Sequence, residues 1–461
     1  MSFRIRAIIA GLVILVATLG AAAYVSSAQS RAGMTVALGE PILTIGNFDS
    51  LGIINQTYSR VEDAFYRPVD LQTLLNGSRT GLDAYLKFRK EPFAVPHLTS
   101  TGSASGDAAL VRKEVVQLAA RDTKLNQGDL SRAAIAGMLN GLDDPYTVYL
   151  TAQQMRALNE ELEGGDFGGI GVYIVQDPKT HETLVSPIPD NPAIAAGVKP
   201  GDIVLAVDGM SARNQPLDAI EHRIRGQVGT RVVLLLQNPK DRSSRTLTIT
   251  RARVHVPSAV AKMDRGIDYI RLADFGTTSY DEVRKALIEG RAHDAKGYVL
   301  DLRANGGGLL DAAVQISSLF IQNGTIVSTI DREGDRDVRS ALGVSVAATP
   351  LVVLVDKYTA SAAEITAGAI QDYRVGTIVG TKTFGKGVVQ SIYNLPDRSA
   401  LKITTARYTT PLGRDINKKG ITPDIIVQDP TTKGLPDLRK FGTASDRVYA
   451  EARALIAKDS Q

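Results

Sequence analysis

The stretch "DKYTASAAEITAGAI", residues 356–370, lies between two apolar runs, "TPLVVLVD" before it and "VGTIVG" after it. A short Val/Leu run that breaks at a turn and resumes with helical spacing reads as a buried strand passing into a helix. Ser361 falls at that junction, with alanines on both sides. Two readings compete. Ser361 and Glu364 have the S-x-x-E spacing of a capping box, which satisfies open amides in the first helical turn. Alternatively Ser361 is a nucleophile, and its small neighbours leave room for a substrate backbone. The rest of the chain decides between them.

The same alternation extends outward on both sides. "IDYIRLADF" (267–275) is followed by "SYDEVRKALIEG" (279–290), where Ser279 and Glu282 repeat the capping-box spacing. "GYVLDLR" (297–303) leads through "ANGGG" into "LLDAAVQISSLFIQ" (309–322), as "PLVVLVD" leads through "KYTA" into the Ser361 helix. Strand, turn and helix in this order predict an α/β domain over residues 256–430 with both turns at one edge of its sheet. Ligand sites in such sheets lie at the carboxyl ends of strands.

Upstream, residues 165–255 read as short strands broken by Gly, Pro and Asp, with "PLDAIEHRIRG" as an inserted helix. Residues 44–162 read as mostly helical, with a flexible loop expected at "TSTGSASGD" (99–107). Ser103-Ala104-Ser105 there resembles the Ser361 motif but has no apolar strand before it. Two phrases starting at Asp70 and Asp129 are loosely alike, which shared helix patterning explains. Residues 431–461 read as a C-terminal tail. At the other end, Arg4 and Arg6 precede an uncharged apolar run from Ala7 to about Val25, the pattern of an export signal or uncleaved membrane anchor over residues 1–28.

The chain has 461 residues, a net charge of +4 and no cysteine, which excludes thiol nucleophiles, disulfides and thiolate metal sites. Without an arginine-rich stripe, nucleic acid is not an expected partner. The five histidines are scattered without a metal-ligand pair, and none follows residue 293, so neither a metal site nor a Ser–Asp–His triad is expected. A serine nucleophile still needs a base. Lys386, in "GTKTFGKGVVQS", lies 25 residues after Ser361. Lowering a lysine from about 10.4 to near 7.5 takes about 3 units, or roughly 4 kcal/mol, which burial in an apolar pocket can supply. Residues 386–390 read as a strand, which would put Lys386 and Gln390 on one face. Ser361 at a helix start places the Ala362 amide at the positive end of that helix, and the glycines of "RANGGGLL" (303–310) offer further backbone donors.

These phrases, with "GLDDPYTVYL" (141–150) and "GRDINKKGITPDIIV" (413–427), resemble the C-terminal processing peptidases, tail-specific Ser–Lys endopeptidases of bacteria and plastids, over about residues 45–430. The resemblance implies an α+β multidomain chain with an N-terminal helical region, a PDZ β-module and a crotonase/ClpP-like α/β protease core. It implies Ser361 as nucleophile, Lys386 as general base and Gln390 as the residue orienting the lysine. Gly307 and Ala362 match the oxyanion positions, with Gly306 and Gly308 as alternatives to Gly307. One departure is "DKYTASA", where family members often carry Asn-x-Gly.

Residues 165–255 resemble a PDZ domain through "GGIGV" and "AIAAGVKPGDIVLAVDG" (193–209). Gly168, Gly169, Ile170, Gly171 and Val172 match its carboxylate-binding loop, a backbone nest for a peptide terminus. Arg225 matches a family arginine implicated in PDZ positioning and equally fits an ordinary helix-end cation. The expected function is an exported, membrane-associated endopeptidase that cleaves protein C-terminal tails without a cofactor, with room for an adaptor or an oligomer. The competing readings are an inactive PDZ scaffold and an acyl-CoA enzyme, for which no nucleotide site is evident.

Overall fold

The computed structural model describes residues 49–162, 167–177, 180–188, 191–346, 350–428 and 438–459. The expected export segment lies outside them, and among the described residues no helix is long and apolar enough to cross a membrane.

Four helices open the structure: α1 (Gly52–Ala64), α2 (Leu71–Phe88), α3 (Ala104–Arg121) and α4 (Gln127–Asn140). Asp70, Ser103 and Asn126 cap the last three, their side-chain oxygens accepting first-turn amides. The two similar phrases are α2 and α4, and they pack on one another. A Cβ on Gly81 would fall 2.0 Å from the Ala133 carbonyl, and one on Gly77 2.6 Å from that of Gly137. Residues 99–107 differ from expectation: α3 starts at Ala104, and Asp107 pins the preceding turn by accepting from Ser100 Oγ (2.6 Å) and the Thr101 amide (2.6 Å). Strand β1 (Val148–Leu150) and α5 (Ala152–Leu162) follow.

The second unit comprises β2 (Phe167–Gly169), β3 (Val172–Gln176), β4 (Thr183–Pro187), α6 (Pro192–Ala195), β5 (Asp202–Val207), β6 (Met210–Ser211), α7 (Leu217–Ile224), β7 (Arg231–Gln237), β8 (Ser244–Thr250) and β9 (Ala252–Val254). Its main sheet runs β3-β4-β5-β7-β8, all antiparallel, and β2 pairs with β9. Ile170, Val185, Val207, Ile220, Val232 and Leu234 form its core. β3 stands at the sheet edge.

The third unit comprises β10 (Ala259–Asp264), β11 (Ile267–Leu272), α8 (Ser279–Ala292), β12 (Gly297–Asp301), α9 (Leu310–Ser318), β13 (Thr325–Ile330), β14 (Arg336–Ser340), β15 (Leu351–Val355), α10 (Ala362–Tyr373), β16 (Thr377–Gly380), β17 (Val388–Asn394), β18 (Ala400–Thr409), β19 (Ile425–Ile426) and α11 (Arg447–Asp459). A six-stranded sheet runs β10-β11-β12-β15-β16-β19, parallel from β11 onward. The second sheet runs β1-β18-β13-β14, with β17 also on β18. β1 therefore joins the helical region to this unit, as do Leu395, Leu401 and Ile403, which pack into the helical core.

β15, "LVVLV", is buried throughout because both faces of its sheet are covered. Leu351, Val353 and Val355 face the core that contains α9 and α10, whereas Val352 and Leu354 face α11. Residues 438–459 are thus more than a tail: Val448, Tyr449, Ala452 and Ile456 of α11 cover the sheet's other face. The Ser279/Glu282 capping box does not form. Thr278 holds the N-cap position without a side-chain cap bond, Ser279 Oγ accepts from the Gly276 amide (2.8 Å), and Glu282 meets His255 Nε2 (2.7 Å) and the Ala259 amide (2.7 Å) at the junction with the second unit.

Candidate active site

Ser361 closes the turn between β15 and α10 with φ 55° and ψ −120°. A non-glycine residue in such a region costs about 1–3 kcal/mol and persists only where its surroundings hold it. The holding groups are on both sides. Asp356 Oδ1 accepts the amides of Tyr358 (2.9 Å), Thr359 (3.0 Å) and Ala304 (3.0 Å), and Thr359 Oγ1 donates to the Leu302 carbonyl (2.8 Å). The result is a sharp strand-to-helix elbow with small, buried residues around it: Ala360, Ala362 and Ala363. Such an elbow exposes a serine hydroxyl above the sheet.

Glu364, wholly buried, joins this turn to Lys386. Its Oε2 accepts the amides of Ser361 (3.0 Å) and Lys386 (2.9 Å); its Oε1 accepts Thr383 Oγ1 (2.5 Å) and the Gly385 amide (2.8 Å). The capping relation expected from the S-x-x-E spacing thus runs from the Glu364 side chain to the Ser361 amide, and the same carboxyl fixes the lysine segment. Burial pushes that carboxyl up, against the four hydrogen bonds that pull it down. Tyr408 adds a second tie, its hydroxyl donating to the Lys386 carbonyl (2.6 Å) and lying 3.2 Å from the Ser361 carbonyl.

Lys386 is 6% exposed, and its Nζ lies 4.9 Å from the centre of the Tyr146 ring. Burial brings the amine down to about 7, with the Lys402 charge adding to the effect and Asp144 and Glu364 opposing it. The "GLDDPYTVYL" phrase forms this roof. Asp144 Oδ2 accepts from Thr147 Oγ1 (2.6 Å) and Thr404 Oγ1 (2.6 Å), which fastens the Tyr146 turn to β18. Sequence reasoning assigned no role to Tyr146, Asp144, Tyr408 or the long reach of Glu364. The "DDPYT" phrase carried a signal only as part of the resemblance.

The strand geometry expected for Lys386 and Gln390 is not what relates them. β17 begins at Val388, after Lys386, and its register with β18 shifts between Val389 and Gln390. The extra residue of that bulge, Thr405, lies on β18, so the departure from expectation is that Lys386 precedes the strand. Gln390 Nε2 donates to the Val388 carbonyl (3.3 Å).

Ala362 is the first residue of α10, so its amide points along the positive helix end. Gly307 is packed against the serine turn: a Cβ there would fall 2.8 Å from Ser361 Cβ and 2.9 Å from the Ala362 nitrogen. Only glycine fits at this approach, with φ +101°. Its amide, however, donates to Asn305 Oδ1 (2.8 Å). Gly308 lies on the far side of the turn, bridged to Phe275.

The other predicted residues lie on the second unit. The carbonyls of Gly168, Ile170 and Gly171 accept the amides of Gly226 (2.9 Å), Ala193 (2.8 Å) and Ile188 (2.9 Å), which fixes the loop 168–172 against its framework. Gly169 ends β2 and Val172 begins β3, the edge strand beside α7. Gly171 has φ +73°, and a Cβ there would fall 2.1 Å from Asn191 Cβ. Arg225 follows α7 and pairs with Glu221 one turn back (2.6 Å).

The sequence matches peptidase family S41 over residues 266–427 and the PDZ domain over residues 161–237. A carboxyl-terminal-processing protease of Picosynechococcus sp. is 39% identical over 341 residues, 73% of this chain and 81% of the relative. The chloroplastic C-terminal processing peptidase of Tetradesmus obliquus is 36% identical, covering 66% of this chain and 70% of its own. The solved photosystem II D1 C-terminal processing protease is 29% identical, with a TM-score of 0.46, covering 86% of this chain and 98% of its own.

Proposed function

The chain belongs to the carboxyl-terminal-processing proteases of peptidase family S41, and on that premise we propose that it cleaves protein tails by a Ser–Lys acyl-enzyme mechanism. The observation that carries this reading is the buried Lys386, whose backbone amide shares the Glu364 carboxylate with the amide of Ser361. Neutral Lys386 takes the proton of the Ser361 hydroxyl as Oγ attacks the scissile carbonyl carbon. The oxyanion is held by the Ala362 amide and by the glycine turn 306–308, with Gly307 contributing once Asn305 releases its amide. The Lys386 ammonium then gives its proton to the departing amine. Water, deprotonated by the same lysine, releases the acyl group. Gln390 orients the lysine.

Only the neutral amine can act, so kcat/KM is expected to rise through about pH 7 and reach a plateau above it. A pH–rate profile checks this. Replacing all five histidines should leave the midpoint in place; a midpoint that vanishes with them would assign the base elsewhere.

The PDZ loop 168–172 takes the terminal carboxylate, and the tail pairs with the open edge of β3. A peptide with a free apolar C-terminus should be cleaved about 5–10-fold faster than its amidated twin, since a weakly held ligand shifts an equilibrium only by its differential affinity. Gly171→Asp, which cannot keep the loop shape, should abolish the difference. Equal rates for the two peptides with the intact enzyme would remove tail reading from the assignment. We place the enzyme outside the cytoplasm at the membrane surface, on the strength of Arg4, Arg6 and the apolar run after them.

A further inference from the structure

Beyond the end of the peptidase match at residue 427, the chain returns to the underside of the reaction centre. Arg303, three residues before Gly306 of the glycine turn, is 5% exposed. Its guanidinium sits between two carboxylates. Nε and Nη2 donate to Asp301 (2.9 and 2.5 Å), and Nη1 and Nη2 donate to Asp446 (3.0 and 2.6 Å). The Phe441 ring covers the guanidinium carbon at 3.9 Å. We propose that residues 441–446 are a working part of the active site's support, with Asp446 and Phe441 holding Arg303 and, through it, the turn that faces Ser361.

A buried ion pair is poor evidence of stability, because desolvating two charges offsets much of their attraction. Its retention is better explained by position. Arg303 roots a turn whose next residues contact both sides of the reaction centre. The Asn305 carbonyl accepts the Ala360 amide (2.9 Å), next to Ser361, while Asn305 Oδ1 accepts the Gly307 amide (2.8 Å). Asn305 Nδ2 donates to the Leu272 carbonyl (2.9 Å), and the Gly307 carbonyl accepts the Phe275 amide (3.0 Å). These bonds fix the turn's flanks on neighbouring strands. At its root, the tail supplies half the carboxylate cradle.

The tail is itself firmly placed. Asp446 also accepts the amides of Gly442 (2.8 Å), Val448 (3.1 Å) and Tyr449 (3.1 Å), so one carboxylate both starts α11 and grips Arg303. Gly442 passes so close to Tyr269 that a Cβ would fall 2.6 Å from the ring, and its carbonyl accepts Lys262 Nζ. Tyr269 in turn donates to Asp301 Oδ2 (2.6 Å). Helix, tail and turn therefore share one buried network.

Asp446→Asn separates the two jobs. With its oxygen toward the Val448 and Tyr449 amides asparagine still caps the helix, but it carries no charge and turns an NH₂ toward Arg303 Nη2 and the Gly442 amide. In the full-length protein, kcat on a tail peptide is expected to fall about 10–100-fold, less than or equal to the loss on deleting an oxyanion donor. KM should stay within twofold. Affinity for a peptide boronate, which forms a tetrahedral adduct with the serine, should fall by the same factor as kcat/KM, while the tail peptide binds a Ser361→Ala background unchanged. Phe441→Leu, milder for folding, should shift the same quantities in the same direction by about 3–10-fold, and it decides the matter if Asp446→Asn lacks a cooperative thermal transition above the assay temperature.

A folded variant with kcat within twofold of wild type would overturn the inference. So would KM and tail binding that worsen in step with kcat, since a general loosening would then explain the result. The inference rests on Ser361 and Lys386 as the reacting pair, so Ser361→Ala is assayed beside it. Cleavage by Ser361→Ala would sink that premise; an inactive Ser361→Ala beside a fully active Asp446→Asn would sink the tail's role alone.

Discussion

Ser361→Ala and Lys386→Ala are each expected to lower cleavage of a tail peptide by about 10⁴-fold or more, because in the proposed mechanism either change removes a partner from a unit that acts together. Their consequences for stability should differ. Alanine at residue 361 relaxes no buried charge and leaves the elbow's backbone bonds in place, so its unfolding midpoint should stay close to wild type. Lysine at 386 is another matter. Its amine has a reference value of 10.5 and is brought down to about 7 by burial. Between those values the unfolded chain binds a proton that the folded chain does not, so stability rises with pH across that window and is lowest at and below its acid end. Lys386→Met fills the same space without that penalty. It should therefore be inactive yet more stable than wild type by a few kcal/mol at pH 7 or below, the gain shrinking as pH rises toward 10.5. Paired activity and denaturant-unfolding measurements at several pH values test both halves. Wild-type turnover by Lys386→Ala would end the dyad assignment, and a destabilised Lys386→Met would mean that the amine is not held in an apolar pocket.

What the sequence made legible follows from how local each signal is. "TPLVVLVD" and "SAAEITAGAI" specify a buried strand and a helix by composition, and the turn between them had to carry Ser361. Lys386 stood out because histidine is missing downstream, and its segment is tied to the Ser361 turn through Glu364. Features set by contacts between distant segments were not legible. The strand β17 starts only at Val388, and nothing within "KGVVQ" announces that Lys386 falls outside it. Ser279 and Glu282 have the right spacing for a capping box, but Glu282 is drawn to His255 and the Ala259 amide at the junction with the PDZ unit, and the box is lost. Ser103 looked like loop because its neighbours are Gly and Ser, yet Asp107 gathers that turn into a helix start. The polar-looking end of the chain hid α11, whose apolar positions matter only against the face of a sheet built from residues 267–379.

Glu364 is the site residue whose sequence signal was read most narrowly, and its replacement should have the second largest effect. The S-x-x-E spacing gave it one partner, the Ser361 amide. In the folded protein it has four, and three of them belong to the segment 383–386. Each buried donor left without an acceptor costs about 1–3 kcal/mol. Glu364→Ala should therefore unfold at a clearly lower temperature and cleave about 10²–10³-fold more slowly, because the Ser361 turn and the Lys386 segment, which carry the proposed nucleophile and base, lose their common anchor. Glu364→Gln separates anchoring from bulk. Its amide keeps one oxygen and the original volume, but its NH₂ must face two donors in either orientation, the Ser361 and Lys386 amides or the Thr383 hydroxyl and Gly385 amide. It should be nearly as slow as alanine while more stable. Thr383→Val, which removes one of the four bonds and leaves the others, should slow cleavage by no more than about 10-fold. Three other bonds still hold the carboxylate in place. If Glu364→Gln cleaves at the wild-type rate, the serine and lysine are held together by something other than this carboxylate, and Tyr408, which reaches both of their carbonyls, becomes the residue to change next.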